Sequence, residues 1–316
     1  YDGDDHRRLR SLVSKAFNPR VIAAMRPRVE AIANALLDKV AARGSMELIG
    51  EYAFPLPITV IAELLGVPSE RQDDFRIWSD AFVRPALTEE AMREARTLLT
   101  AFAGYMYQLV EERRRHPQDD MISRLIQAEE QGDRLSQNEL FSMIALLIVA
   151  GHETTVSLIG NAALALLQHP EAWAELQSNP ALIPAAIEEV LRHDSPVERA
   201  LFRFATRDTE LGGQQIKKGD AINVVLGSAN RDGARFDEPA TLDIHRKITA
   251  HLAFGKGIHF CLGAPLARLE GDVAIRMLIE RMPGLQLAIE PGELRWRDVP
   301  LFRSLTHLPV RWTPAR

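Results

Sequence analysis

Between residues 140 and 169 the sequence is apolar nearly all round at helical spacing, and Ser136-Gln-Asn-Glu139 opens it as a capping-box start. A helix with no polar face must be enclosed by other elements, so this segment is expected to be the longest buried helix of the chain. Inside it stands A-G-H-E-T-T at 150–155, a glycine, an acid and two hydroxyls where propensity and burial cost both oppose them. A local conflict of that kind marks function more often than accident. It is not a metalloprotease motif, because Val156 stands where a second histidine is required after His152-Glu153. A threonine bonding back to its own helix and bending it is compatible with a functional role.

The second constraint is F-G-K-G-I-H-F-C-L-G at 254–263, which holds the only cysteine, Cys261, among Gly255, Gly257 and Gly263. Ala264-Pro265-Leu266 then opens a helix, with Pro265 in a first turn where no N–H is missed. A cysteine just before a helix start meets free N–H groups and the positive dipole end, both of which favour thiolate. By itself the pattern also suits a small hydrophobe in a glycine-rich turn. One cysteine excludes an intrachain disulfide and any multi-cysteine zinc or iron–sulfur site, and it fits a reducing cytosol. The 316 residues are 46% hydrophobic, enough for a sizeable core, and a net charge of −5 gives no basic field for nucleic acid. The longest wholly apolar run, 143–150, is shorter than a membrane span.

Along the chain, helical spacing over 2–17 stops at Asn18-Pro19 and puts His6 and Arg10, four apart, on one face. Further helices are predicted over 19–42, 54–65, 69–82 (with Ser69 as a cap), 88–116 and 119–126. The Arg113-Arg114-Arg115 run is read as a solvated, dipole-favoured last turn. Two short helices follow Pro170, then a helix over 184–192 with Glu189 and Arg192 at ion-pair spacing. From 200 to 225 the pattern alternates between glycine turns and predicts small β-structure; 231–250 is irregular, 266–282 helical, and the tail to Trp312 short strands. Repeats, low-complexity tracts and linkers are absent, so residues 1–316 are expected to form a single domain.

F-G-x-G-x-H-x-C-L-G resembles the haem-ligand loop of cytochrome P450, and A-G-x-E-T-T resembles that family's oxygen-activation motif. The resemblance implies a P450 fold, mainly α with small β-sheets. It is N-terminally incomplete, because family members carry several tens of residues before the helix that opens this sequence. It implies haem b with Cys261 as the iron ligand, and Glu153 and Thr154 as the acid and alcohol that manage protons. Ala150 and Gly151 would keep the helix thin beside the cofactor, with Phe254 and Gly263 in the cofactor loop. His6, Arg10, Arg203 and His259 match propionate-binding positions. Glu189 and Arg192 match the core-helix pair that locks onto an arginine before the haem loop, here Arg246. The activity implied is that of a soluble, cytoplasmic, bacterial-type haem-thiolate monooxygenase, with no membrane or nucleic-acid partner. It would insert one atom of O2 into a hydrophobic small molecule, with electrons from a separate ferredoxin- or flavodoxin-type donor. Two alternatives stand beside it: a peroxide-driven peroxygenase, which retention of both Glu153 and Thr154 argues against, and a non-catalytic haem-binding fragment. Lys256 and Arg268 are candidates for an acidic partner's docking patch. Leu146, Val149, Val197, Leu201 and Leu305 fall where the family's pocket walls lie, and each would serve equally well as core.

Overall fold

Asp4 and Asp5 in the first turn and Lys15 in the last suit the dipole of α1 (Gly3–Ala16), which buries Leu9, Leu12, Val13 and Ala16. The computed structural model describes residues 2–17, 19–83, 88–130, 135–247, 250–299 and 301–314. Asn18, read as the stop of this first helix, lies outside them. The single helix expected over 19–42 is in fact α2 (Pro19–Ala24) and α3 (Arg26–Asp38), followed by a 3-10 turn at Ala41–Arg43. Pro27 causes the split, since it has no N–H to continue a helix and is favoured in a first turn.

Strand β1 (Ser45–Glu47) and a π-helical turn at Ile49–Ala53 lead into α4 (Pro55–Leu65). The side-chain cap expected at Ser69 does not form. A 3-10 turn at Ser69–Arg71 precedes α5 (Gln72–Val83), and the Ser69 hydroxyl donates to Glu70 instead. Thr88 caps α6 (Glu89–Arg115) by accepting from the Ala91 N–H. Arg113 is not solvated as the charge run suggested: it is 7% exposed, pairs with Asp120 and donates to the Gly66 carbonyl at 2.8 Å. The first arginine of the run is thus a buried clamp from the end of α6 to the end of α4. Next comes α7 (Met121–Glu130).

The longest helix among the described residues is α8 (Gln137–Leu167), with the expected reciprocal capping box between Ser136 and Glu139. Residues 155–166 are buried on every side, whereas before them only the stripe Leu140, Ile144, Ile148 and His152, together with Glu153, is buried. The helix is not broken at 150–155. The hydroxyls of Thr154, Thr155 and Ser157 donate to carbonyls four residues back, at 2.7, 3.0 and 2.9 Å, so their polarity is satisfied within the helix. By length and composition α8 would suffice to cross a membrane, yet 56% of its most apolar stretch is enclosed by protein.

Around α8 pack α4, α10 (Ile183–His193) and α12 (Ala264–Arg281), with α9 (Pro170–Ser178) at its end. Two small hairpin-like sheets pair β2 (Arg203–Phe204) with β5 (Ala221–Ile222), and β3 (Thr209–Leu211) with β4 (Gln214–Ile216); α11 (Leu226–Ala229) follows. The third sheet has β7 (Pro309–Arg311) between β1 and β6 (Gln286–Leu287), with Ser45 opposite Arg311. One apolar cluster runs from Leu9 to Trp312 and draws on the major helices.

The irregular segment before the cysteine loop is fixed to α10 by the expected brace. Arg192, fully buried, donates to both Glu189 carboxylate oxygens at 2.8 and 2.7 Å, and Arg246 reaches the same carboxylate at 3.2 Å. Arg192 also donates to the carbonyls of Asn230, Pro239 and Thr241, which anchors a segment that has almost no secondary structure of its own.

Candidate active site

Loop 254–263 is closed by its own backbone. The Cys261 N–H donates to the Phe254 carbonyl at 2.9 Å across a 3-10 turn at Gly257–His259. Gly257 stands at φ 79°, a conformation a side chain would strain, and this turn presents Cys261 at the mouth of α12. Burial pushes the Cys261 thiol up, while the N–H groups of Gly263 and Ala264, with Arg10 and Arg268, pull against it. A coordinated metal deprotonates a thiol outright. Donors ready for a sulfur anion, on a half-buried thiol, therefore suit a metal ligand better than a free one.

Although α1 is about 250 positions away in sequence, it faces this loop. The His6 and His259 rings lie 4.2 Å apart, and Arg10 donates to the Phe260 carbonyl at 2.6 Å. His259 shares a 2.7 Å hydrogen bond with Asp2, which holds that carboxyl below its usual range; Arg203 adds a smaller pull. Arg203 is exposed and makes a long 3.4 Å hydrogen bond to the Leu201 carbonyl. The Nδ1 of His6 is buried without a partner. Four cationic or potentially cationic groups thus gather near the loop with donor capacity to spare, which suits a ligand bearing carboxylates.

On α8, Leu146, Ala150 and Thr154 are spaced four apart and so share one face; Leu146 is 58% exposed, Ala150 is exposed and Thr154 half-buried. Other exposed large apolar side chains include Leu201, Phe202, Phe204, Val224 and Val225 around β2 and β5, and Ile258 and Phe260 in the loop. Val149 and Val197 are half-buried. Leu305, at 2% exposed, takes the core alternative of its two readings. Phe254 packs under Arg268, whose guanidinium lies 4.5 Å from the ring centroid. Arg268 also grips Glu188 with two hydrogen bonds, so it is engaged internally rather than standing free as a docking cation. Lys256 is exposed.

The structure does not join the predicted acid and alcohol. Thr154 donates to Ala150, while the Glu153 carboxylate is buried and pairs with Arg297, from a segment 144 residues away. Sequence reasoning missed Arg297, for no local pattern connects it to α8. It also passed over His152, which packs edge-on against Phe54 with its Nε2 buried and unpartnered. Burial, with a smaller push from Arg297, lowers that imidazole to about 4.

A thiol set against amides, cationic donors beside it and uncovered apolar side chains form a donor set that fits iron protoporphyrin, the chemistry of a haem-thiolate protein. The profile of the family described as "Cytochrome P450" matches residues 60–283. Cytochrome P450 107B1 of Saccharopolyspora erythraea is 49% identical over 310 residues, covering 98% of this chain and 76% of that protein. Cytochrome P450 monooxygenase PikC of Streptomyces venezuelae is 45% identical over 318 residues, covering 100% and 76%. The solved structure of the bacillaene polyketide synthase P450 PksS of Bacillus subtilis superposes with a TM-score of 0.93 at 45% identity, covering 99% of this chain and 80% of that one. The chain belongs to the cytochrome P450 family. It is a haem b-dependent monooxygenase that uses O2, a hydrophobic small-molecule substrate and electrons from separate redox partners.

Proposed function

We propose that Cys261 is the thiolate ligand of the haem iron, that His6, Arg10, Arg203 and His259 hold its propionates, and that Ala150, Phe254 and Gly263 line the cofactor. The observation that carries this is the Cys261 loop itself, closed onto Phe254 and backed by the Gly263 and Ala264 amides. Bound haem supplies O2 binding and reductive O–O cleavage, which a thiolate ligand favours. The residues of the chain supply position and protons. Thr154 is the hydroxyl on the open face of α8; its proton is committed to Ala150, so its oxygen accepts a hydrogen bond from water on that face. Glu153 supplies protons from the flank of the helix. The apolar side chains around β2 and β5 exclude bulk water and receive an apolar substrate.

The electron donor is of ferredoxin or flavodoxin type, the chain forms a single domain, and the enzyme works in the cytoplasm. Relatives are described as a polyketide biosynthesis P450 and a vitamin D(3) 25-hydroxylase, and solved neighbours hold myristic acid or testosterone. These support an extended or polycyclic apolar substrate here.

The reduced, carbon-monoxide-bound spectrum tests the ligand. A red-shifted, thiolate-type Soret band is expected, and it should vanish in Cys261→His while haem is still bound. A parent protein without that band ends the reading. Titration with myristic acid and with testosterone, read as a shift of the ferric haem spectrum, tests the substrate class; silence with both counts against it.

A further inference from the structure

Glu153, Ser157 and Asn161 are four apart on α8 and so form a stripe distinct from Leu146, Ala150 and Thr154. This stripe meets the C-terminal hairpin at 296–305. Asn161 donates to the carbonyls of Arg303 at 2.9 Å and Asp194 at 3.1 Å, and Arg303 in turn bonds Asp194 at 2.7 Å and lies 3.8 Å over Trp296. Trp296 bridges to Leu305, and the Arg297 N–H donates to the Ser304 carbonyl at 2.8 Å. The segment that carries Arg297 is therefore tied, through Ser304 and Arg303, to α8 two turns from Glu153. Among the described residues Arg297 is the one ion-pair partner of Glu153, whose side chain is 6% exposed against 29% for Arg297.

One helical position turns a side chain by about 100°, so Glu153 leaves α8 well to the side of Thr154. A buried carboxylate with no counter-charge takes up a proton rather than stay ionised. Arginine does not deprotonate in proteins, and it holds a carboxylate by geometry as well as charge. We propose that Arg297 is a positioning residue for the reaction: it holds Glu153 as a carboxylate on the hairpin side of α8, at the solvent end of the proton supply. Glu153 takes a proton from water on the Arg297 side and passes it toward the Thr154 face, returning to the carboxylate, with the guanidinium charge unchanged. This rests on the reading of Glu153 as the acid.

The test uses the full-length, haem-loaded enzyme with a surrogate ferredoxin and reductase, and whichever of myristic acid or testosterone shifts the ferric spectrum more. Arg297→Gln, Arg297→Lys, Glu153→Gln and the Arg297→Gln/Glu153→Gln double variant are compared, each first checked for the thiolate-type carbon-monoxide spectrum. Arg297→Gln should slow turnover about a hundredfold, the lower end of what a general acid–base group supplies. Glu153→Gln and the double variant should match it, and Arg297→Lys should recover most of the loss. In infrared difference spectra against the parent, Arg297→Gln should gain a protonated-carboxyl C=O band, and the double variant should not. Parent-like turnover of Arg297→Gln, or a double variant slower than Glu153→Gln by the full Arg297→Gln factor, overturns the proposal. If Arg297→Gln loses haem, the double variant decides: it should equal Glu153→Gln in rate, and any further loss counts against Arg297. A slow Glu153→Gln beside a fast Arg297→Gln defeats this inference alone, whereas a fast Glu153→Gln removes the acid and the inference together.

Discussion

Thr154 and His152 stand two residues apart on α8 and meet opposite surroundings. Thr154 keeps its hydroxyl on the open face, bonded to Ala150 at 2.7 Å. Replacing it with alanine leaves the helix intact, so Thr154→Ala should still consume electrons but release more of them as hydrogen peroxide, with Thr154→Ser near the parent. Product formed per electron consumed measures this, and unchanged coupling would take Thr154 out of the mechanism. His152 is buried with Nε2 unpartnered, and burial lowers its ring to about 4 from an ordinary 6.5. Below pH 6.5 the unfolded chain protonates this histidine while the folded one does not. Its contribution is therefore fully present above pH 6.5 and declines as pH falls toward 4, by about 3 kcal/mol in all. Urea midpoints from pH 7 to 4 should fall more steeply for the parent than for His152→Leu. Parallel curves would show that this ring does not set the acid limb.

Among the elements, the α10 brace and the α6 clamp differ in how openly the sequence announces them. Glu189 and Arg192 are neighbours on one helix turn, a weak signal by itself, and it was the family resemblance that joined them to Arg246 ahead of the cysteine loop. Glu189→Ala should cost about 3–5 kcal/mol, because it strands a fully buried guanidinium. Arg246→Ala should cost less, its side chain being 12% exposed. Chemical denaturation of both variants, with haem retention followed in parallel, checks the order; equal small losses would reduce the brace to a surface pair. Arg113 shows the opposite case. A run of three arginines at a helix end reads as solvated, and only the approach of Asp120 and the Gly66 carbonyl makes the first of them a buried clamp. The ends of α4, α6 and α8 were legible because glycine and caps are local signals. The break before α3 turns on Pro27, which a strong apolar period on both sides disguised. In the site, the cysteine loop is ten consecutive residues and could be read whole. The Glu153–Arg297 pair could not, for its partners are 144 residues apart and an isolated arginine carries no address.

For the molecule as a whole, the exposed apolar side chains of α8, β2, β5 and the loop are the counterpart of the enclosed core. Haem binds the folded state and not the unfolded one, so loading should raise the melting temperature, by about 4 kcal/mol of stability at a thousandfold excess over Kd. It should also reduce binding of a hydrophobic dye to the haem-free protein. Equal dye fluorescence before and after haem addition would mean that these side chains belong to another surface. The three-stranded sheet has a consequence of a different kind. Its β1 strand waits for a partner that lies across the chain, Ser45 against Arg311. At about 5–20 residues per second of synthesis, the ribosome delivers that partner only after tens of seconds, and β1 spends the interval with its β7-pairing edge unpaired. The helices can begin to pack as they emerge, but this sheet closes last. A nascent chain stalled before residue 309 would therefore carry α4, α8 and α12 with its β1 edge still available to the wrong strand.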